Sequence, residues 1–261
     1  MPKDDRAEFI KIFNSLSRKH HKYDVFRDFV LMSSISIHNA IVKKGEFRES
    51  LEDEYLSIDK KYSSDERQSF CKLLALLIEM LDPKPCDILG GLYMDLELGN
   101  DRNGQFFTPH EISDLMAMIN IGDSLDNLDS FITLSEPACG AGGMVLAFAN
   151  QVINKGHSPH NTMWVQAWDI DRTAALMAYL QLSLWYIPAQ IVVGNTLSLE
   201  VREVFYTPAH YMGNWDYKLA CRSAKKLIST EPKPKLETDG LDEAKEQKSV
   251  ILVKGQFDFG F

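Results

Sequence analysis

The sequence predicts an α/β protein in which a doubly wound sheet domain follows an α-helical N-terminal region. Three observations carry this. Strand-like and helix-like runs alternate from residue 131 to 193. A glycine-rich turn sits at the first strand-to-helix junction. The first hundred residues show helical periodicity and no strand pattern.

The helical region comes first. Phe9, Ile10, Phe13 and Leu16 recur at helix spacing. A basic break, Ser17-Arg18-Lys19-His20-His21-Lys22, separates them from an apolar stretch running from Tyr23 to about Val42. Residues 46–67 are acidic and polar and read as loop or an exposed short helix. Asp65 is a candidate cap for the next helix, with Gln68 three residues on. That helix carries Leu73, Leu74, Leu76, Leu77 and Met80, and the Pro83/Pro85 segment ends it.

The α/β pattern follows. Thr108 as N-cap and Pro109 at the first helical position open a helix from about His110 to Ile119. Phe131–Ser135 reads as a strand, 144–153 as a helix, 163–168 as a strand, 172–185 as a helix broken by Pro188, and 190–193 as a third strand. Such an order predicts parallel strands joined by crossover helices, with a ligand site at the strands' carboxyl ends where the strand order switches. After about 195 the pattern weakens. Residues 229–248, rich in carboxylates and lysines around Pro232 and Pro234, read as a solvated linker, and 249–253 as a possible returning strand. The domain boundaries are therefore 1–100, 101–228 and 229–261.

Composition sets limits. A net charge of −9 excludes coating of nucleic acid by bulk charge but leaves room for a local basic patch, for which the 17–22 run is the candidate. The alternative for that run is a solvated inter-helix turn. Apolar runs such as Leu73 to Ile78 fall far short of the ~20 residues of a membrane span. The first thirty residues hold no signal-peptide core. The four cysteines form no CxxC pair, and His110, His157, His160 and His210 show no metal-ligand spacing, so no metal site is expected. The pattern reads as cytoplasmic and reduced.

Two motifs carry chemistry. In Ser135-Glu136-Pro137-Ala138-Cys139-Gly140-Ala141-Gly142-Gly143-Met144, the glycines permit a tight turn and close approach of backbone to ligand. The next helix points its free N–H groups at the same place. Glu136 at the strand end suits a ligand ammonium rather than a phosphate. A plain strand-to-helix turn is the alternative, with Cys139 as small buried filler. Asp169 ends the second strand, where a carboxylate holds ribose hydroxyls in nucleoside-binding sheets. The alternative is a helix N-cap, for which Asp171 is the better placed residue.

Together with Gly104-Gln105-Phe106-Phe107-Thr108-Pro109, these segments resemble the adenine-N6 DNA methyltransferase family, most closely the modification subunits of type I restriction systems. The family pattern is a Gly-Gln-Phe-(Phe/Tyr)-Thr-Pro loop, then Asp-Pro-Ala-Cys-Gly-Ser-Gly-Gly-Phe, then an acid ending the second strand. Here Glu136, Ala141 and Met144 replace the Asp, Ser and Phe. Residues 87–99, beginning Asp87-Ile88-Leu89-Gly90-Gly91-Leu92-Tyr93-Met94, are similar to the family's approach to the loop, and the resemblance covers about 85–200. It implies a Rossmann-like methyltransferase sheet and S-adenosyl-L-methionine as cofactor. Glu136 and the 139–143 turn, with Cys139, Gly140 and Gly142, would face the methionine part, with Thr108 near its carboxylate. Phe107 would belong to the same cofactor site, Asp169 would bind the ribose and Ile170 would pack on the adenine. Asn195, in Gly194-Asn195-Thr196-Leu197 where the family has Gly-Asp-Thr-Leu, would accept from the adenine amino group through its side-chain oxygen.

The family's Asn/Asp-Pro-Pro-Tyr/Phe motif, which holds a flipped-out base, has no counterpart with Pro-Pro in this chain. Asn214 and Tyr217 have the Asn-x-x-Tyr spacing, with Trp215-Asp216 in place of the prolines, and are the candidate catalytic residues. A plain helix or core segment over 215–219 is the alternative. The resemblance thus implies methyl transfer to adenine N6 in DNA. A second expectation is a catalytically lapsed relative that binds DNA or engages a specificity or restriction subunit.

Overall fold

The computed structural model describes residues 4–98, 107–122, 125 and 130–230. The chain divides into two compact units, 1–221 and 222–261. The described part of the second is the end of the last helix. Gly104, Gln105 and Phe106 of the loop, and the 249–253 run, lie outside the described residues.

Six helices come first: α1 (Asp5–Leu16), α2 (Lys22–Ile41), α3 (Glu46–Asp59), α4 (Ser64–Leu81), α5 (Ile88–Asp95) and α6 (His110–Ile121). The aromatic stripe of α1 packs edge-on against α2, with Phe9–Phe29 and Phe13–Phe26 ring centroids 5.8 and 6.3 Å apart. Phe26 in turn meets Tyr93 of α5 at 5.5 Å.

Residues 46–59 form a full helix rather than a loop, because Leu51 and Ile58, seven residues apart, both reach the core. The cap of α4 is Ser63, not Asp65. Its hydroxyl accepts from Glu66 N, and the Glu66 carboxylate accepts from Ser63 N at 2.8 Å, a reciprocal capping box. Likewise Pro109, not Thr108, is the N-cap residue of α6, and no side chain caps that end.

The α/β part runs β1 (Ile132–Glu136), α7 (Gly143–Asn154), α8 (Pro159–Thr162), β2 (Met163–Asp169), α9 (Arg172–Leu184), β3 (Ala189–Asn195), β4 (Glu200–Tyr206), α10 (Pro208–Met212) and α11 (Trp215–Thr230). The result is a mixed α/β fold, mostly helical, around an open four-stranded sheet of order β1-β2-β3-β4. The first three strands are parallel, and β4 runs antiparallel to β3. Strand order does not reverse among the described strands, so the expected switch point is not seen there.

Alternate β2 side chains serve two faces. Met163, Val165 and Ala167 enter a core shared with α1–α5, α7 and α9. Trp164 faces the other way, where it packs with Phe131 and the fully buried Trp215. One core therefore spans the helical region and the near face of the sheet.

The junction between those parts is a polar clamp. Gln181 of α9 is fully buried. Its side-chain oxygen accepts from Ile88 N (2.8 Å), which also reaches the Cys86 carbonyl, and from Leu89 N (3.0 Å), two donors at the start of α5 that have no intrahelical partner. Its NH2 donates to Asp87 Oδ1 (3.0 Å) and to the carbonyl of Ala141 (2.8 Å) in the glycine-rich turn. Asp87 Oδ1 also accepts from Gly90 N at 2.7 Å. Burial holds the Asp87 carboxyl above its usual range, against the pull of the Gln181 and Gly90 bonds.

Gln181→Leu keeps the volume and orphans these buried groups. At about 1–3 kcal/mol per orphaned group, it should lower the unfolding free energy by about 3–5 kcal/mol in urea denaturation. A loss below about 1 kcal/mol would show that the clamp contributes little.

Candidate functional site

The carboxyl ends of β1, β2 and β3 open into one cavity of about 680 Å3, within the ~300–1,000 Å3 usual for small-molecule sites. Parallel pairing puts the three strand ends side by side, with Glu136 opposite Ala167 and Asp169 opposite Val193.

The glycine-rich turn forms one wall. Cys139 N donates to the Trp168 carbonyl at 2.7 Å, fastening the turn to the end of β2. Gly140 and Gly142 have φ of +52° and +89°, left-handed conformations that favour glycine. A Cβ on Gly140 would stand 3.3 Å from the Phe107 ring, and one on Gly142 3.2 Å from Ala178 Cβ. The Phe107 ring is held from behind by Tyr93, edge-on at 5.3 Å.

Asp169 is the hub. Oδ2 accepts from Gly140 N and Oδ1 from Asp171 N, both at 2.8 Å. Asp171, as the capping argument expected, accepts from Ala174 N at 3.0 Å and starts α9. Each Asp169 oxygen keeps a further lone-pair site for a ligand. Burial pushes its carboxyl above the usual range, against the backbone N–H groups of Asp171, Gly140 and Ile170. Burial raises Glu136 too, against a bond from Ala138 N, and the Asp169 charge adds to the rise. Neither acid has a Lys or Arg partner among the described residues. Two half-buried carboxylates without cations suit a positively charged ligand bearing hydroxyls.

The rim is apolar and open: Ile170 is 61% and Leu197 97% exposed. Thr196 Oγ1 donates to the Pro137 carbonyl at 2.6 Å, tying the end of β3 to the end of β1.

Phe107, Gly140, Asp169, Ile170 and Asn195 line this cavity together. Glu136 stands just behind Pro137, which also lines it. Thr108 is exposed beyond Phe107, and Gly142 turns toward α9. Cys139 is buried, its thiol pushed well up by burial and by the Asp169 and Glu136 charges, which makes it a filler and not a nucleophile. Asn195 departs from expectation: its side-chain oxygen accepts from Leu197 N (3.0 Å) and Ser198 N (3.4 Å), closing its own turn. Sequence reasoning passed over Pro137, Ala138, Ala174, Gly194, Thr196 and Leu197 as lining residues. The run from Gly194 to Leu197 held the signal for three of them, while Ala174 carries none beyond its small size.

Asn214 and Tyr217 are not at the pocket. The β3–β4 turn sends the chain back along the sheet, pairing Asn195 with Glu200 at the pocket end and Gln190 with Tyr206 at the other. Thr207 N then donates to the Ala189 carbonyl at 3.0 Å. His210 of α10 accepts from Trp164 Nε1 at 3.1 Å, near the start of β2. Asn214, at φ +51°, makes the turn into α11, with its N–H on the Tyr211 carbonyl. From Gln190 to Asn195 is five residues, or roughly 17 Å at about 3.3 Å per residue. Trp215 is buried edge-on against Phe131, 4.9 Å between centroids, and Tyr217 faces solvent. The alternative reading of 215–219 as a helix and core segment describes what the fold shows.

Among the described residues, no cluster of His, Cys, Asp and Glu suits a metal ion. Among them too, no helix is long and apolar enough to cross a membrane.

Comparison with known proteins adds three findings. No curated protein matches the chain. A solved structure from Listeria monocytogenes, described as a class I S-adenosylmethionine-dependent methyltransferase, is similar over 71% of this chain at 16% identity and a TM-score of 0.38. The match covers 52% of that protein, so this chain spans about half its length. The family model for N-6 DNA methylases matches residues 92–239, more than half of the 261. The chain belongs to the N-6 DNA methylase family.

Proposed function

We propose that the cavity is the S-adenosyl-L-methionine site of a methyltransferase acting on adenine N6 in DNA. The observation that carries this is a pair of acids with no Lys or Arg partner among the described residues, Asp169 lining a nucleoside-sized cavity and Glu136 beside the lining residue Pro137, in a chain of this family. S-adenosyl-L-methionine is the cofactor of such enzymes, and the residues present fit it: an ammonium and a diol match the two acids, and a base matches the apolar rim.

When bound, the cofactor supplies a methyl group on a positively charged sulfur. Glu136 accepts from the ammonium. Asp169 accepts from ribose hydroxyls with the lone pairs its backbone bonds leave free. Ile170 and Leu197, exposed on the rim, would pack on the base and shed water when it binds. Asn195, with its oxygen already engaged, presents its NH2 as a donor to a ring nitrogen. Phe107 closes the pocket beside Gly140. These groups position the methyl donor, and positioning is the main contribution the chain makes to transfer.

The Gly104–Pro109 and 87–99 sequence segments support kinship with type I modification subunits, with a specificity or restriction subunit as partner and the cytoplasm as compartment. For DNA, the α1–α2 turn is the candidate patch. Tyr23, which follows it, lines a crevice with Phe107 and Ala174, next to the main cavity. Lys19 is engaged by Glu66 at 3.3 Å, which leaves Arg18 and Lys22 as exposed cations there.

A second reading, a lapsed relative that binds cofactor and DNA without transfer, is favoured by the placement of Asn214 away from the pocket. Incubation with labelled S-adenosylmethionine and unmethylated DNA, followed by nucleoside analysis, separates the two. Labelled N6-methyladenine supports transfer. Cofactor binding without it supports the second reading, and absence of cofactor binding in calorimetry overturns both.

Asp169→Ala should weaken cofactor binding by about 1–3 kcal/mol through loss of charge-assisted bonds. Calorimetry checks this, and an unchanged affinity removes Asp169 from the ribose site.

Glu136→Gln should act in two directions. Its folded-state pKa is raised, so its charge penalises the ligand-free fold once pH exceeds the unfolded-state value. The substitution should therefore raise Tm at pH 7, with the gain vanishing below about pH 4. It should also weaken the cofactor about tenfold. A lowered Tm at pH 7 would contradict the assigned strain.

A further inference from the structure

We infer that Arg202 is a phosphate-binding residue at the mouth of the cavity, fixed there to meet the sugar–phosphate strand of the DNA. The inference rests on the cofactor and substrate reading above and adds a residue to it.

The warrant is a break in the β3–β4 ladder. Val193 pairs with Glu203, but Gly194 pairs with Val201, so Arg202 is the extra residue of a β-bulge. A bulge re-aims the side chain it carries, and bulges gather beside functional sites. This one lies opposite Gly194, which lines the cavity. Gly194 is what admits it: a Cβ there would fall 2.2 Å from the Glu200 carbonyl oxygen.

The re-aimed side chain crosses the end of β3, and its Nη2 donates to the carbonyl of Ile170, the rim residue after Asp169. That single bond fixes the guanidinium at the rim. No carboxylate pairs with Arg202 among the described residues, whereas nearby Arg172 is held by Glu54 and Glu203. An exposed, anchored guanidinium with its remaining N–H donors unspent matches the fork geometry of a phosphate. The cavity behind it carries the Asp169 carboxylate on its wall, with Glu136 next to the lining residue Pro137, so the anion it takes lies outside, on a substrate strand crossing the mouth.

The test compares wild type, Arg202→Ala and Arg202→Lys. Duplex DNA binding is measured over a series of salt concentrations, and S-adenosylmethionine binding is measured by calorimetry on the same proteins. Arg202→Ala should weaken DNA binding about equally across sequences and reduce the slope of log K against log salt by about 0.9, one phosphate contact. Arg202→Lys should retain most of the slope. Cofactor affinity should stay within twofold in both, which also shows that the fold is intact.

Unchanged DNA affinity and slope in Arg202→Ala overturn the inference. A loss confined to cofactor binding overturns it too, placing Arg202 in the cofactor site. Wild type that binds cofactor but no DNA overturns it while leaving the cofactor reading standing. Wild type that binds DNA but no cofactor overturns the proposed function, and the salt slopes still decide the role of Arg202.

Discussion

Everything at the pocket depends on the glycine-rich turn being held from both sides. Toward the sheet, Cys139 N on Trp168 and Gly140 N on Asp169 fix it to the end of β2. Toward the helical layer, Gln181 grips the Ala141 carbonyl while accepting from two backbone N–H groups at the start of α5. Left-handed glycines make the turn possible but do not fix it, since glycine carries the largest backbone entropy to lose. The buried amide supplies the missing constraint, and it couples the N-terminal helices to the pocket wall through one side chain.

The acids within the pocket set a second condition. Glu136 and Asp169 stand close enough for the charge on one to raise the other, and the described residues bring them no cation. Asp169 is partly compensated, since two backbone N–H groups point at it. Glu136 has one longer bond, from Ala138 N at 3.3 Å. The ligand-free site is therefore strained electrostatically in a way that a cationic ligand relieves, a common price of a preorganised binding site.

The legible part of this protein was what lies close together in sequence. The strand–turn–helix unit around 135–143, the acid at the end of β2 and the Asp171 cap all follow from local rules. The hidden part lies in returns and long-range bonds. Asn214 and Tyr217 have a suggestive spacing, but spacing says nothing of direction, and β4 carries them to the far end of the sheet. Helix α3 was obscured because its buried side chains, Leu51 and Ile58, are scattered among acids. The Asp87–Gln181 pairing joins residues far apart in the chain, and a single amide in an Ala- and Leu-rich helix gives no notice of its partner.

The β3–β4 turn has one more property. Residues 196–199 lie beyond the last ladder pair, Asn195 with Glu200, and are closed by the Asn195 side chain rather than by the sheet. Beyond Thr196, whose hydroxyl holds the Pro137 carbonyl, a change of identity there leaves strand register and core untouched. The turn nevertheless carries Leu197 over the cavity. The rim is thereby free to diverge while the floor, built of glycines against packed helices, is not. Across relatives, variety in ligand contacts should accumulate on this one side of the mouth.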